Sequence, residues 1–424
     1  MIAMVIALIV LMVIGMPIGF SLLLGSLAYF ISSGASLNII VQKMTMTVGD
    51  SFSMMAVPFF MFAGAVMNNS GITEQIFGFA DKLVGHIRGG MGHANILASV
   101  IFAGMSGSAI ADTGGLGAIE LKAMKDAGYD DDFSLAITGA SSCIGPVIPP
   151  SVPFVMYGVI AGVSIGSLFM AGVVPGLCMA FAMAVVVWYQ AKKRGYEPHK
   201  RATLREICHS FTGSFWGLLA PVILIGGIVT GVCTPTEAAV VAAVYSLIIS
   251  FITKSIKISD LPALIDDTVK TTAMVMLIAS ASCVFGWILT VEQIPVHAAA
   301  AISAIGPNKV IAILLVNFLF LVVGMFMDGT ASIIILTPIL VPLMSAYGMN
   351  LVHFGVLMTV NVMIGLLTPP VGMVLYVLSG VSGEKVERIS KAMIPYIITL
   401  IIVVLVLSFV PGLVLFLPKL LGAM

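Results

Sequence analysis

Two interruptions of one kind constrain this chain more than any other feature. GMSGSAIADT (Gly104 to Thr113) is followed by SSCIGPVIPP (Ser141 to Pro150), and GMFMDGTAS (Gly324 to Ser332) is followed by IGLLTPP (Ile364 to Pro370). Residue 104 maps onto 324, 144 onto 364 and 149 onto 369, and the dipeptides Gly-Met, Ile-Gly and Pro-Pro coincide at this one offset of 220. Three dipeptides in register point to an internal duplication. Each copy sets a gap rich in Gly, Ser, Thr and Asp, and then a Pro-Pro break, inside apolar sequence.

The surrounding sequence is 60% hydrophobic and 9% charged, too apolar to cover itself with a soluble surface. Backbone groups in hydrocarbon must be satisfied internally, and long apolar runs punctuated by Gly and Pro read as helices rather than as the alternation of a barrel. The expectation is an all-α polytopic membrane protein. The run from Met1 to about Leu24 has no basic flank and no cleavage site, so it reads as a spanning helix rather than a removable signal. A net charge of zero argues against nucleic acid as a partner. Five cysteines and six histidines are scattered without ligand spacing, so no transition-metal site is expected. The absence of GxxxxGK[ST] and HExxH argues against ATP hydrolysis and against an intramembrane enzyme, and no catalytic residue is expected.

Spans are expected at about 2–24, 26–42 and 53–69, followed by an amphipathic arm from Ile72 to Arg88. A re-entrant hairpin at about 91–127, a broken helix at about 132–161 and a span at about 167–191 complete a first repeat, 1–191. The loop KKRGYEPHKRATLR (Lys192 to Arg205) lies in a basic linker, 192–210, and is assigned to the cytoplasm. The second repeat, 211–424, has spans at about 211–231, 236–253 and 271–290 and an arm from Pro295 to Ala304. A hairpin at about 308–347, a broken helix at about 351–380 and a span at about 393–417 follow. An odd number of crossings per repeat inverts the second repeat relative to the first and puts the N-terminus in the periplasm. Lys385, Arg388 and Lys391 then fall inside, in keeping with the orientation that the Lys192 to Arg205 loop sets.

Irregular backbone at membrane depth is tolerated where protein or a water-filled cavity covers it. The proline pairs free carbonyls of the preceding helices, Ser141 to Gly145 and Ile364 to Thr368, which with neighbouring hydroxyls suit a small hard cation such as Na⁺. Helices that begin after the tips and after the proline pairs present unpaired N–H groups, which suit a carboxylate. On that reading Asp112, Thr113, Pro149, Pro150, Ser151, Ser332, Pro369 and Pro370 surround a substrate. Asp112 and Asp328 either cap the second hairpin helices or contact a cation. Hydroxyls such as Ser106, Ser108, Ser141, Ser142, Thr330 and Thr368 either back-bond to their own helices or face the site. Glu237, in CTPTEAA, reads as a helix cap.

These motifs resemble the large membrane subunit (DctM-type) of TRAP transporters, the tripartite ATP-independent periplasmic class. The resemblance rests on Ser106 to Asp130, Ala140 to Pro153, Cys233 to Ala239, Gly324 to Leu340, Ile364 to Gly372 and the stretch Ala56 to Ile72, and so covers essentially the whole chain. It implies an inverted-repeat elevator transporter in the bacterial inner membrane, driven by sodium and importing carboxylates such as C4-dicarboxylates, sialic acid or other organic acids. It also implies a small four-helix membrane subunit and a soluble periplasmic substrate-binding protein as partners, besides membrane lipid. Sodium sites carried over by motif are Ser106, Ser108, Ser141, Ser142 and Gly145 in one half and Asp328, Gly329, Thr330, Gly365 and Thr368 in the other. The first tip reads SGSAIAD where many members carry SGSSVAD, and Cys143 stands where Thr is common, so the carry-over there rests on carbonyl ligands. The competing expectations are a carboxylate symporter that needs no binding protein and an ion-only antiporter or channel.

Overall fold

The computed structural model of the chain describes residues 2–49, 51–198, 200–294, 297 and 308–423, and every regular element among them is a helix. The first three are α1 (Ile2–Val13), α2 (Ile18–Ser33) and α3 (Asn38–Gly49); a 3₁₀ turn (Phe52–Met55) then leads into α4 (Ala56–Asn69). The spans expected at 2–24 and 26–42 are therefore corrected. Gly15, at φ 86, and Pro17, at the N-cap of α2, end the first run, and Gly34, at φ 71, ends the second. Apolar periodicity conceals these breaks because Ile14 and Met16 are themselves apolar; only the Gly and Pro show them.

The chain continues through the amphipathic α5 (Ile72–Val84), then α6 (Gly90–Ser106), α7 (Ala109–Gly114), α8 (Leu116–Asp126), α9 (Asp131–Ser142), α10 (Val152–Ala161) and α11 (Ile165–Arg194). Next come α12 (Leu204–Val229), α13 (Pro235–Ile252) and α14 (Leu261–Val291). Capping boxes start α12 and α13: Thr203 with Glu206, and Thr234 with Glu237, each exchange side-chain and backbone bonds. Glu237 is thus the third-position partner of a capping box, its carboxylate accepting from Thr234 N. The arm expected at Pro295 to Ala304 lies, His297 apart, outside the described residues. The final elements are α15 (Lys309–Phe326), α16 (Gly329–Ala346), α17 (Leu351–Gly365), α18 (Met373–Ser382), α19 (Val386–Phe409) and α20 (Pro411–Leu420). The last expected span is broken at Pro411, which lacks the amide to continue α19. Among the described residues, eight helices are long and apolar enough to cross a membrane.

A few contacts fix the directions of these helices. Arg388 binds Asp132 at 2.6 Å and Arg194 binds Asp130 at 2.8 Å, so the starts of α9 and α19 and the end of α11 share one face. Gly89 packs so closely on Ala191 that a Cβ there would lie 2.7 Å away, which brings the start of α6 to the same face. At the far end of α19, about 36 Å away along its 24 residues, His353 bonds the Leu407 carbonyl at 2.9 Å. Tyr157 donates to Leu351 O, and Lys309 donates to Gly348 O, so the ends of the α15–α16 pair and the start of α17 gather there. The hairpin α6–α8 thus enters and returns at one face and α15–α16 at the other, while α9 and α17 run in opposite senses. Against the helices around them, α6 meets α12 and α16 meets α14 through glycine-on-proline contacts, Gly104 on Pro221 and Pro338 on Gly286.

Candidate functional site

The two hairpin tips are built alike. Gly107, at φ 60, turns the chain out of α6, and its missing Cβ lets it approach Pro150 O, which an alanine would meet at 2.7 Å. Ser108 then caps α7 by accepting from Ala111 N. At the second tip Asp328 caps α16, its Oδ2 accepting from Thr330 N at 2.9 Å and Ala331 N at 3.2 Å. Ser108 and Asp328 are equivalent at the offset of 220, so the counterpart of Asp328 is Ser108, while Asp112 corresponds to Ser332. The free amides expected behind the tips are therefore taken by side chains. Ser151 likewise accepts from Phe154 N at the start of α10 and donates to Pro146 O. The start of α18, behind Pro369-Pro370, has Gly372 as its N-cap and no side-chain cap.

Between the tips lies a cavity of about 20 Å³ lined by Gly107, Ser108, Ile110, Pro146, Asp328, Thr330 and their neighbours Ala109, Gly329 and Leu366. Its walls pair off at the repeat offset: Ser108 with Asp328, Ala109 with Gly329, Ile110 with Thr330, Pro146 with Leu366. The Cys143 thiol, moreover, donates to the carbonyl of Met363, its own equivalent 220 residues on, at 3.1 Å. The two halves thus meet about a point between the helix breaks. A space of this size holds one water or one bare ion and no organic anion.

The remaining expected residues stand behind this cavity. Asp112 is 2% exposed and sits against Gly145, where a Cβ would collide with its Oδ2. Thr113, Ser142, Ser332 and Thr368 turn their hydroxyls back to the carbonyls of Ala109, Gly139, Asp328 and Ile364. Ser106 ends α6, and Gly365 packs on Gly324. In the first break the turn bonds use the carbonyls of Ala140, Ser141, Ser142 and Ile144. Both peptide bonds Pro149-Pro150 and Pro369-Pro370 are cis. Their surroundings differ: Pro149 and Pro150 are buried, Pro150 among Phe60, Ala220, Leu224 and Ala242 of α4, α12 and α13, whereas Pro369 and Pro370 are exposed.

Two buried polar links escaped the sequence reading. Ser141 donates to Asn95 Oδ1 at 2.7 Å, and Asn95 Nδ2 donates to Glu120 Oε2 and Thr138 Oγ1, tying α6, α8 and α9 together. At the equivalent place Asn361 donates to Asn317 Oδ1 at 3.0 Å, and Asn317 donates to Ser408. Positions 141 and 361 are repeat equivalents, and each reaches an asparagine on the first helix of its hairpin. That pairing was visible as a polar residue at matching places in both copies.

Comparison with known proteins gives the family. Residues 5–413 match the family described as tripartite ATP-independent periplasmic transporter, DctM component. The chain is 45% identical over 408 residues to the sialic acid TRAP transporter large permease protein SiaM of Vibrio cholerae, covering 96% of this chain and 95% of that protein. It is 37% identical over 399 residues to the C4-dicarboxylate TRAP transporter large permease protein DctM of Pseudomonas aeruginosa, covering 94% and 93%. Among solved structures, the YdaH transporter of Alcanivorax borkumensis superposes with a TM-score of 0.60 at 14% identity, covering 89% of each chain, a likeness of fold alone. The chain therefore belongs to the DctM component family, the large membrane permease of tripartite ATP-independent periplasmic transporters.

Proposed function

We propose that this permease imports a small carboxylate with sodium as the coupling ion, by an elevator movement of the hairpins and broken helices against α1–α4 and α12–α14. The observation that carries the reading is the cavity between the tips, lined by residues of both, Ser108, Asp328 and Thr330 among them, most of which pair at the repeat offset. Oxygen ligands in a space of that size suit a small hard cation. The unequal burial of the two breaks supports the movement. The first is covered by α4, α12 and α13 and the second is open, and exchanging their environments would turn the site to the other side of the membrane. A carboxylate is supported by the names of the relatives, one for sialic acid and one for C4-dicarboxylate, and by the uncapped start of α18 beside the exposed Pro369-Pro370.

Permeases of this family work with a small membrane subunit and a periplasmic substrate-binding protein. For this chain we propose both, the small subunit having four helices. We also propose two inverted repeats, 1–191 and 211–424, with the basic linker 192–210 in the cytoplasm, so that α6–α8 enters from the cytoplasmic face. The test is uptake of labelled sialic acid or C4-dicarboxylate by proteoliposomes of the chain with its small subunit, with the sodium gradient and the binding protein each supplied or withheld. Uptake that needs both is expected. Uptake without a binding protein would leave an ordinary symporter, and uptake indifferent to sodium would remove the coupling ion.

A further inference from the structure

The body formed by α6, α8 and α9 contains a carboxyl group that the transport reading leaves unused. Glu120 is 1% exposed, the one buried glutamate among the described residues. Its Oε2 accepts from Asn95 Nδ2 at 2.7 Å, and its Oε1 has no hydrogen-bond partner among the described residues. Among the described residues no Lys, Arg or His pairs with it. At 100° per residue Met124 shares its inward face, with its sulfur 4.0 Å from Asn95 Nδ2. Lys122 and Lys125 fall on the opposite face, where they line a cavity of about 260 Å³ with Asp131, Ser134 and Glu384.

The titratable groups on the elements packed around α8 are Asp112 on α7, His93 on α6, Glu74, Asp81 and Lys82 on α5, Asp131 and Asp132 at the start of α9, and Tyr376 on α18. Of these Asp112 is the other buried acid, with the same sign of charge. An ionised carboxylate so placed would be neither solvated nor paired, and a bound proton removes that charge. The group is also wired to the site. Asn95, which donates to Glu120, accepts from Ser141 in the last turn of α9, directly before the break at Cys143 to Pro150.

We propose that Glu120 is a proton-binding site: its carboxyl is protonated while the Asn95–Thr138–Ser141 network is closed, and release of that one proton to water opens the network and frees the end of α9. Uptake then falls as the pH becomes alkaline. Glu120→Gln, which copies the protonated group, keeps uptake and abolishes that fall, whereas Glu120→Ala removes one of the two acceptors of the Asn95 amide and lowers uptake about tenfold at every pH.

The activity readout rests on the transport reading, so the deciding measurement is independent of it. The full chain, labelled with ¹³C in its glutamate carboxyls and held in lipid nanodiscs, is titrated by infrared spectroscopy. A label-sensitive band of protonated carboxylic acid at neutral pH, lost on alkaline titration, is expected. Its absence at neutral pH overturns the proposal, even if Glu120→Gln fails to fold. So does a wild-type uptake that is flat with pH, or a folded Glu120→Gln as inactive as Glu120→Ala, since the charge itself would then be needed. A wild type that transports nothing at any pH counts against the transport reading, while the infrared band still decides the protonation.

Discussion

Asp328 is a helix cap and, on the reading proposed above, also a cation ligand. A carboxylate there costs about 2.5–3.5 kcal/mol on insertion scales unless compensated. Thr330 N and Ala331 N compensate it at the start of an 18-residue helix whose dipole favours the negative charge. Capping and cation contact can be separated by substitution, because asparagine caps about as well as aspartate. Asp328→Asn is expected to retain thermal stability in detergent and to lose the dependence of uptake on sodium. Asp328→Ala is expected to lose both, with about 1 kcal/mol of stability gone with the cap. An Asp328→Asn protein with unchanged sodium dependence would assign the carboxylate to capping alone. Gly107 gives a second test at this scale. Its φ of 60 and its approach to Pro150 O exclude a side chain, so Gly107→Ala is expected to destabilise by about 1–3 kcal/mol, read as a lowered unfolding midpoint.

Helices are held in their places here by few polar links, and these were the part least legible in the sequence. The tips and the Pro-Pro breaks stand out because Gly, Ser, Asp and Pro contrast with apolar neighbours. Asn95, Glu120, Asn317 and Asn361 do not, since a single polar residue in an apolar helix reads equally as lipid-distant packing. Glu120 was misleading in a further way: Lys122 and Lys125 beside it suggest an interfacial stretch, while the helical phase turns Glu120 to the opposite, buried face. The Asn317–Asn361 link joins α15 to α17. A double-mutant cycle with Asn317→Ala and Asn361→Ala is expected to give a coupling of about 0.6 kcal/mol in unfolding, and at most about 1.7, as for interhelical hydrogen bonds within a membrane. Additivity of the two would deny the link any role in joining the helices. At the helix ends, Asp130 is held below the usual carboxylate range by the Tyr196 hydroxyl and then by the Arg194 guanidinium. A depressed carboxyl adds stability above its unfolded value, about pH 4, and loses it as pH falls through the lower folded value. Acidification across that window should lower the melting temperature of the wild type more than that of Asp130→Asn.

Across the whole molecule, the arrangement is two copies of one pattern set head to tail about the Cys143–Met363 contact, and the two breaks differ in burial. The offset of 220 was readable because both copies keep their Gly-Met, Ile-Gly and Pro-Pro pairs, whereas nothing in either copy says which break is covered. That depends on where α4, α12 and α13 lie, and hence on tertiary packing. Ser151 and Val371 are equivalent positions just after the two proline pairs, and Ser151 is buried while Val371 is half-buried beside exposed Pro369 and Pro370. If the molecule alternates by exchanging the environments of its halves, the two positions open to opposite sides of the membrane. With the five native cysteines replaced, Ser151→Cys and Val371→Cys are each treated with a membrane-impermeant maleimide from one side or the other of oriented vesicles during turnover. Each thiol is expected to react from one side only, and the two sides are expected to differ. Reaction of both thiols from the same side would mean that the site never passes between faces by exchange of the halves, and the elevator reading would fall even if sodium-driven uptake remained.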